Sequence, residues 1–211
     1  MRPPTSMNTL IHGAIRRDLA RFLGATANFP DGDEDRAAQL GAAWAYFYGE
    51  LSYHHRGEHE IAWPALASVG VSADLLAEMD AEHDRLAEAL GATNTAFATL
   101  RSAPTAANAI AAHAALERLR DVAEEHLRHE EAELEPVYAA KHGTPELKAM
   151  GRKFSRRNPR GTGNFLSWVG NGASPEEQAA LRATIPPPVI AVFVTVFGGH
   201  YRRRVASAWQ P

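Results

Sequence analysis

The chain has 211 residues, enough for one domain with a sizeable core, and carries 22 Lys and Arg against 25 Asp and Glu, 10 His and no Cys. A net charge of −3 gives no general attraction to nucleic acid or anionic membranes. Without cysteine there is no disulfide framework, thiolate zinc finger, iron–sulfur cluster, covalent haem or thiol nucleophile.

The opening residues lack the apolar stretch of a signal peptide. The longest apolar run, Val189 to Phe197, is far short of the roughly 20 residues that cross a bilayer. A soluble, cytoplasmic protein is therefore expected. Before residue 150 Ala, Glu, Leu and Arg dominate and β-branched residues are few, which favours helix over strand. The spacing predicts a first helix over Ser6 to Gly24, then a loop containing Pro30-Asp31-Gly32-Asp33 in which Asp33 caps the next helix. The second helix is expected from Glu34 to Trp63, stopping before Pro64. Ser72 caps a third that runs to Leu100, and Thr105 a fourth that ends near His142-Gly143.

Each of these helices carries a heptad-like seam. The first reads Asn8, His12, Ile15, Leu19, Phe22, and the second Leu40, Trp44, Phe47, Leu51, His54, Glu58, Ile61. The third reads Leu76, Met79, His83, Leu86, Leu90, and the fourth Leu116, Leu119, Ala123, His126, Glu130, Leu134. Four such seams joined by shortish loops imply an all-α fold, an antiparallel up-down-up-down four-helix bundle.

Six titratable residues interrupt the seams: His12, His54, Glu58, His83, His126 and Glu130. An unpaired group of this kind in a dry core costs several kcal/mol, so each needs a partner. At about 1.5 Å per residue, antiparallel packing brings His54, His83 and His126 within about one turn of the same level. His54 and His126 each begin the same pattern, His-x3-Glu-x5-Pro, ending in Pro64 and Pro136. The i, i+4 spacing sets imidazole and carboxylate on one helix face, and its repetition on two helices implies a pseudo-twofold site for two metal ions. Imidazole with carboxylate suits iron, manganese or zinc; two glutamates able to bridge favour a dinuclear iron centre. The paired Glu-x-x-His motifs of ferritin-like sites are missing.

The stretches IHGAIRRDL, HHRGEHEIAWPAL, EHDRL and HLRHEEAELEP, across residues 7–141, resemble the hemerythrin-like, HHE cation-binding family. The resemblance implies an up-down-up-down bundle around a non-haem di-iron site with an oxo or hydroxo bridge and two bridging carboxylates. It also implies a small ligand such as peroxide, dioxygen or nitric oxide. His12, His54, His83 and His126 would be terminal ligands, and Glu58 and Glu130 the bridges. One position departs from the oxygen carriers, which have a further histidine where this chain has Met79. A thioether is a poor ligand for ferric iron, so Met79 is expected in the core. The more open site tilts the expectation towards catalase-like breakdown of peroxide. A dioxygen- or nitric oxide-binding or sensing module, or an iron-binding protein without turnover, is the alternative. Tyr53, His55 or Glu50 could supply a substitute ligand. Otherwise His55, His59, His129 and Glu133 are expected on flanking faces, and His142 in a helix cap.

Residues 1–143 thus form the expected bundle and residues 144–211 a helical extension. Thr144-Pro145 and Ser174-Pro175-Glu176-Glu177 read as helix starts, Val189–Trp209 as a last helix, and Gly161-Thr162-Gly163 as a lone turn. Arg152, Lys153, Arg156, Arg157 and Arg160 make a basic run with no aromatic interleaving, which reads as a solvated face, so no nucleic-acid partner is expected. The extension should pack on the bundle, either covering an end of the site or forming a homodimer contact.

Overall fold

The computed structural model describes residues 6–156 and 158–210; the first five residues and Arg157 of the basic run lie outside the described residues. Helix α1 spans Met7–Ala27, α2 Glu34–Gly57, α3 Trp63–Ser68, α4 Ala73–Ser102 and α5 Ala106–Glu133. Four begin at a polar cap: the side chains of Ser6, Asp33, Ser72 and Thr105 accept from the backbone N–H groups of Thr9, Arg36, Leu75 and Asn108. Each cap satisfies a donor that the first helical turn would leave unpaired.

Cross-helix partners fix the topology. His12 faces Glu131 and Thr26 faces His113, so α1 and α5 run antiparallel. Trp44 donates to Asn94 while His59 pairs with Asp80, which makes α2 and α4 antiparallel. His83 meets His126, and Thr93 donates to the carbonyl of Ala115, which does the same for α4 and α5. The all-α bundle is therefore up-down-up-down. Its lower half is aromatic: Trp44 stacks on Phe97 with centroids 4.6 Å apart, and Phe22 meets both edge-on.

The second helix does not stop before Pro64. It passes through a π-turn, Glu58–Ala62, and resumes as α3. The N–H of Trp63 reaches the carbonyl of Glu58, five residues back, and Pro64 follows where an N–H is dispensable. The surplus residue moves the seam by one. Ala62 and Leu66 are buried, whereas Ile61, the expected continuation, is only partly so. The fourth helix also breaks earlier than expected, at Leu134, and continues as α6, Glu135–Lys141, with Pro136 in its first turn.

Beyond residue 143 the helices are α7 (Pro145–Phe154), α8 (Pro159–Gly170), α9 (Pro175–Thr184), α10 (Pro187–Val192) and α11 (Gly199–Arg204). Thr144 caps α7, and Ser174 and Glu177 close a reciprocal capping box on α9. Gly161-Thr162-Gly163 is not a turn but lies within α8, which Asn158 caps and Pro159 opens. The expected last helix is broken by a second π-turn, Phe193–Phe197, and by Gly198-Gly199, and ends in a 3-10 turn, Ala206–Trp209. The break belongs to a tight crossing with α8: a Cβ on Gly198 would collide with Ser167 Oγ, and one on Gly163 with Phe193 and Phe197.

These helices share the bundle's aromatic core. Trp209 sits edge-on to Phe22 at 4.9 Å, and the indole of Trp168 donates to the buried Asp18 of α1 at 2.8 Å. Arg17 reaches across to Glu177 and to the carbonyls of Val169 and Asn171. No single helix among the described residues is long and apolar enough to cross a membrane.

Asp18 also accepts from Arg21, so its loss would leave a buried indole N–H unpartnered. Asp18→Ala should lower the unfolding free energy by about 2 kcal/mol in urea titrations, and Asp18→Asn, which keeps an acceptor, by less. Arg120→Ala, at an exposed pair with Asp121, should change it by less than about 0.5 kcal/mol.

Candidate metal centre

The six seam residues meet in one layer, all of them buried. His12 Nε2 lies 3.1 Å from Glu130 Oε2, and His54 Nε2 lies 3.1 Å from Glu58 Oε1. The other oxygen of Glu58, Oε2, faces His83 Nε2 at 3.4 Å, and the Nε2 atoms of His83 and His126 are 3.2 Å apart. A seventh residue joins them. His55 is half-buried, stacks on His83 with ring centroids 4.3 Å apart, and buries its Nε2 in the same space.

Two four-residue groups result, His12–His54–Glu58–Glu130 and His55–Glu58–His83–His126, each with one atom per residue, all within 4.8 Å of one another. Glu58 belongs to both. Its position explains why: it follows His54 by four residues and His55 by three, so both rings flank it on the helix. Met79 is fully buried among Ala62, Trp63, Leu66, Leu76 and Leu134, as core packing requires. Glu50 is in neither group, and Tyr53 lines a neighbouring cavity.

Outer carboxylates aim the rings. The Nδ1–H of His12 donates to Glu131 at 2.9 Å, and Arg16 holds the same carboxylate at 2.6 Å. Glu82 accepts from His126 Nδ1 at 2.9 Å and from His129 Nδ1 at 2.8 Å. In both cases the far nitrogen is engaged and Nε2 is left to face the centre. Asn8 donates to Glu130 Oε1 at 3.0 Å, which leaves Oε2 inward. Glu82 and Glu131 carry no seam signal and were not anticipated; they sit one residue outside the seam, at the distance where a ring's second nitrogen needs a partner. His59 stays outside, exposed and paired with Asp80, and Glu133 is exposed. His142 follows the last residue of α6 and contacts the carbonyl of Ala139.

The inner atoms have nowhere else to go. His12 Nε2, His54 Nε2, His55 Nε2, both oxygens of Glu58 and Glu130 Oε2 are sealed from solvent, and the polar neighbours they face are one another. So many convergent donors with only one another for partners are foreign to a settled core and fit a cation between them. The titration behaviour agrees. Burial and the neighbouring Glu130 push the Glu58 carboxyl well above the usual range. Burial favours a neutral Glu130 too, but His12 outweighs it and holds that carboxyl down at about 2. Burial would likewise lower His12, yet Glu130 and Glu131 raise it to about 9. Burial and neighbouring imidazoles lower His54 to about 3 and His83 to about 4, and lower His55 well below the ordinary value. Unprotonated His54, His55 and His83 are ready donors for a metal ion, whereas His12 and Glu58 would each give up a proton to one.

Beside this layer lies a cavity of about 760 Å³, bounded by α1, α2 and α6 on one side and by helices of residues 144–185 on the other. His54 and Glu58 are part of its wall.

No curated protein and no solved structure gives a significant match to this chain. The model of the hemerythrin HHE cation binding domain matches residues 8–138, a span that contains every residue of both four-donor groups. The chain belongs to the hemerythrin HHE cation-binding family, and its buried histidine and glutamate cluster is suited to holding metal.

Proposed function

We propose that the two groups hold two non-haem iron ions spanned by Glu58, and that the protein breaks down peroxide in a catalase-like manner. The observation that carries this reading is the placement of Glu58, with one oxygen towards His54 and the other towards His83. His12, His54 and Glu130 complete one set, and His55, His83 and His126 the other. Of the substitute ligands that the sequence offers, His55 supplies the donor missing at Met79. Glu130, held by Asn8 through one oxygen, turns the other towards His12 at 3.1 Å and His126 at 3.9 Å. Manganese and zinc suit the same donors; zinc has no redox change to offer peroxide, and iron is the metal that the family resemblance implies.

Four protein donors per ion leave about two of six positions for a bridge and a small ligand. Two bound irons would supply adjacent redox-active Lewis acids. The chain's residues do the rest. Glu131 and Glu82 keep the His12 and His126 rings in place, Glu58 fixes the spacing of the two sets, and Trp63 and Met79 close the floor against water. His12 surrenders its proton when metal enters, because a ligating nitrogen needs its lone pair. A second reading, a dioxygen- or nitric oxide-sensing module, is favoured by the wall that the C-terminal helices share with His54 and Glu58.

The decisive experiment adds peroxide to iron-loaded protein under an oxygen electrode. Sustained oxygen release over many equivalents supports turnover; a single spectral change without release favours the sensor. Metal analysis should give about two irons per chain, as the two donor sets require. Glu58→Ala should abolish the pair, while His55→Ala should lower the content towards one. A wild-type ratio that never exceeds one, or a haem spectrum, would sink the dinuclear centre.

Metal affinity should rise with pH. The His12 proton is bound below about 9 and the raised Glu58 carboxyl holds a second, so cobalt(II) affinity should climb by at least tenfold per pH unit between about 7 and 9. Metal-free stability should move the other way. The raised His12 contributes fully below its unfolded pKa of 6.5, and its contribution is lost as pH climbs towards 9. The lowered His54 and His83 contribute fully above 6.5 and lose their contribution as pH falls towards 4. Thermal melts of chelator-treated protein should therefore peak near 6.5. A flat profile from 5 to 9 would contradict the assigned charges.

A further inference from the structure

The cavity beside the site is far larger than a peroxide or dioxygen reading needs. Its volume is about 760 Å³, whereas a single water occupies about 30 Å³ of liquid and a diatomic is of similar size. Pockets for drug-sized organic molecules run from about 300 to 1,000 Å³.

Its walls are mostly side chains that water does not solvate well. Met7 and Ile11 come from α1, and Leu147, Met150, Phe154 and Leu166 from the helices beyond residue 143. His54 and Glu58 also line it, with the buried Nε2 of one 3.1 Å from a buried carboxylate oxygen of the other. Among the described residues the lining contains carboxylates at Glu50, Glu58 and Glu135 and imidazoles at His54 and His142, but no Lys or Arg. Glu135 is itself held by the hydroxyl of Ser6. A largely apolar wall whose described permanent charges are carboxylates disfavours an acidic head group and selects an uncharged molecule.

We propose that this cavity binds one uncharged, largely apolar organic molecule, held between the bundle and the C-terminal helices with His54 and Glu58 in its wall. The proposal goes beyond the small-ligand reading of the metal site and does not depend on peroxide turnover. It assigns residues 144–185 a role in ligand binding as well as in packing.

The test uses full-length, metal-free protein and N-phenyl-1-naphthylamine, a neutral probe that fluoresces in apolar surroundings. Saturable binding of one probe per chain is expected, with a micromolar Kd. Ala139→Trp, on the cavity wall, should weaken it at least tenfold. Gly151→Trp, where an added Cβ meets nothing within 4 Å, is a second filling variant should the first not fold, as judged by circular dichroism. 1-Dodecanol should displace the probe at least tenfold more effectively than dodecanoate. No saturable binding, or equal binding by a folded filling variant, would overturn the site; equal or better displacement by dodecanoate would overturn the uncharged ligand. Because no metal is added, failure here leaves the metal assignment standing, and a protein that binds no iron leaves this result unchanged.

Discussion

Glu58 and Glu130 lie in the dry middle of a helical bundle, where two neighbouring carboxylates cannot both stay ionised unless positive charge sits between them. Everything around them answers that constraint. With metal absent, the compromise is a protonated Glu58 and an ion pair between Glu130 and His12. His54, His55 and His83 stay neutral because further positive charge at that depth would be uncompensated. On the proposed reading, bound metal would let both carboxylates ionise and turn the neutral rings into donors. The same residues thus support two charge states, and the bundle need only tolerate the poorer one until metal arrives.

Tolerance comes from the outer layer. Glu131 and Glu82 lie at the back of the ligating rings, nearer to solvent, and both carboxyls are held below their ordinary values against the opposing effect of burial, Glu131 at about 2 by His12 and Arg16, and Glu82 by His126 and His129. They keep His12 and His126 turned inward whether or not the centre is filled. The geometry is therefore preorganised by groups that need never touch metal. The aromatic half of the bundle, with Trp44 on Phe97 and Phe22 between them, supplies the rigidity.

Much of this was legible in the chain. Caps at Asp33, Ser72 and Thr105 are local chemistry, and the seams follow from helical period alone. The repeated His-x3-Glu pattern located the site because polar residues on an apolar seam must find one another. What escaped is what depends on rotation and partners. His55, about 100° of helix from His54, stood level with Tyr53 and Glu50 as a substitute ligand, and only the packed α4 singles it out by bringing its ring onto His83. Glu82 and Glu131 look like any solvated glutamates until the ring nitrogens behind which they sit are placed. The glycines at 161 and 163 suggested a turn, whereas Gly163 serves a helix crossing that no local pattern encodes.

The π-turn at Glu58–Ala62 gives the second helix a spare residue at the boundary between two packing zones. Ahead of it, Trp44, Phe47 and Leu51 pack with the aromatic core; after it, Trp63 and Leu66 join Met79 and Leu134 in a separate cluster. An uninterrupted helix would lock the two into one phase, so that a change of register in either would be imposed on the other. The spare residue works as a spacer that uncouples them. Substitutions that reshape the floor of the site around Met79 can accumulate without compensating changes in the aromatic half, and the two ends of this bundle are free to diverge at different rates.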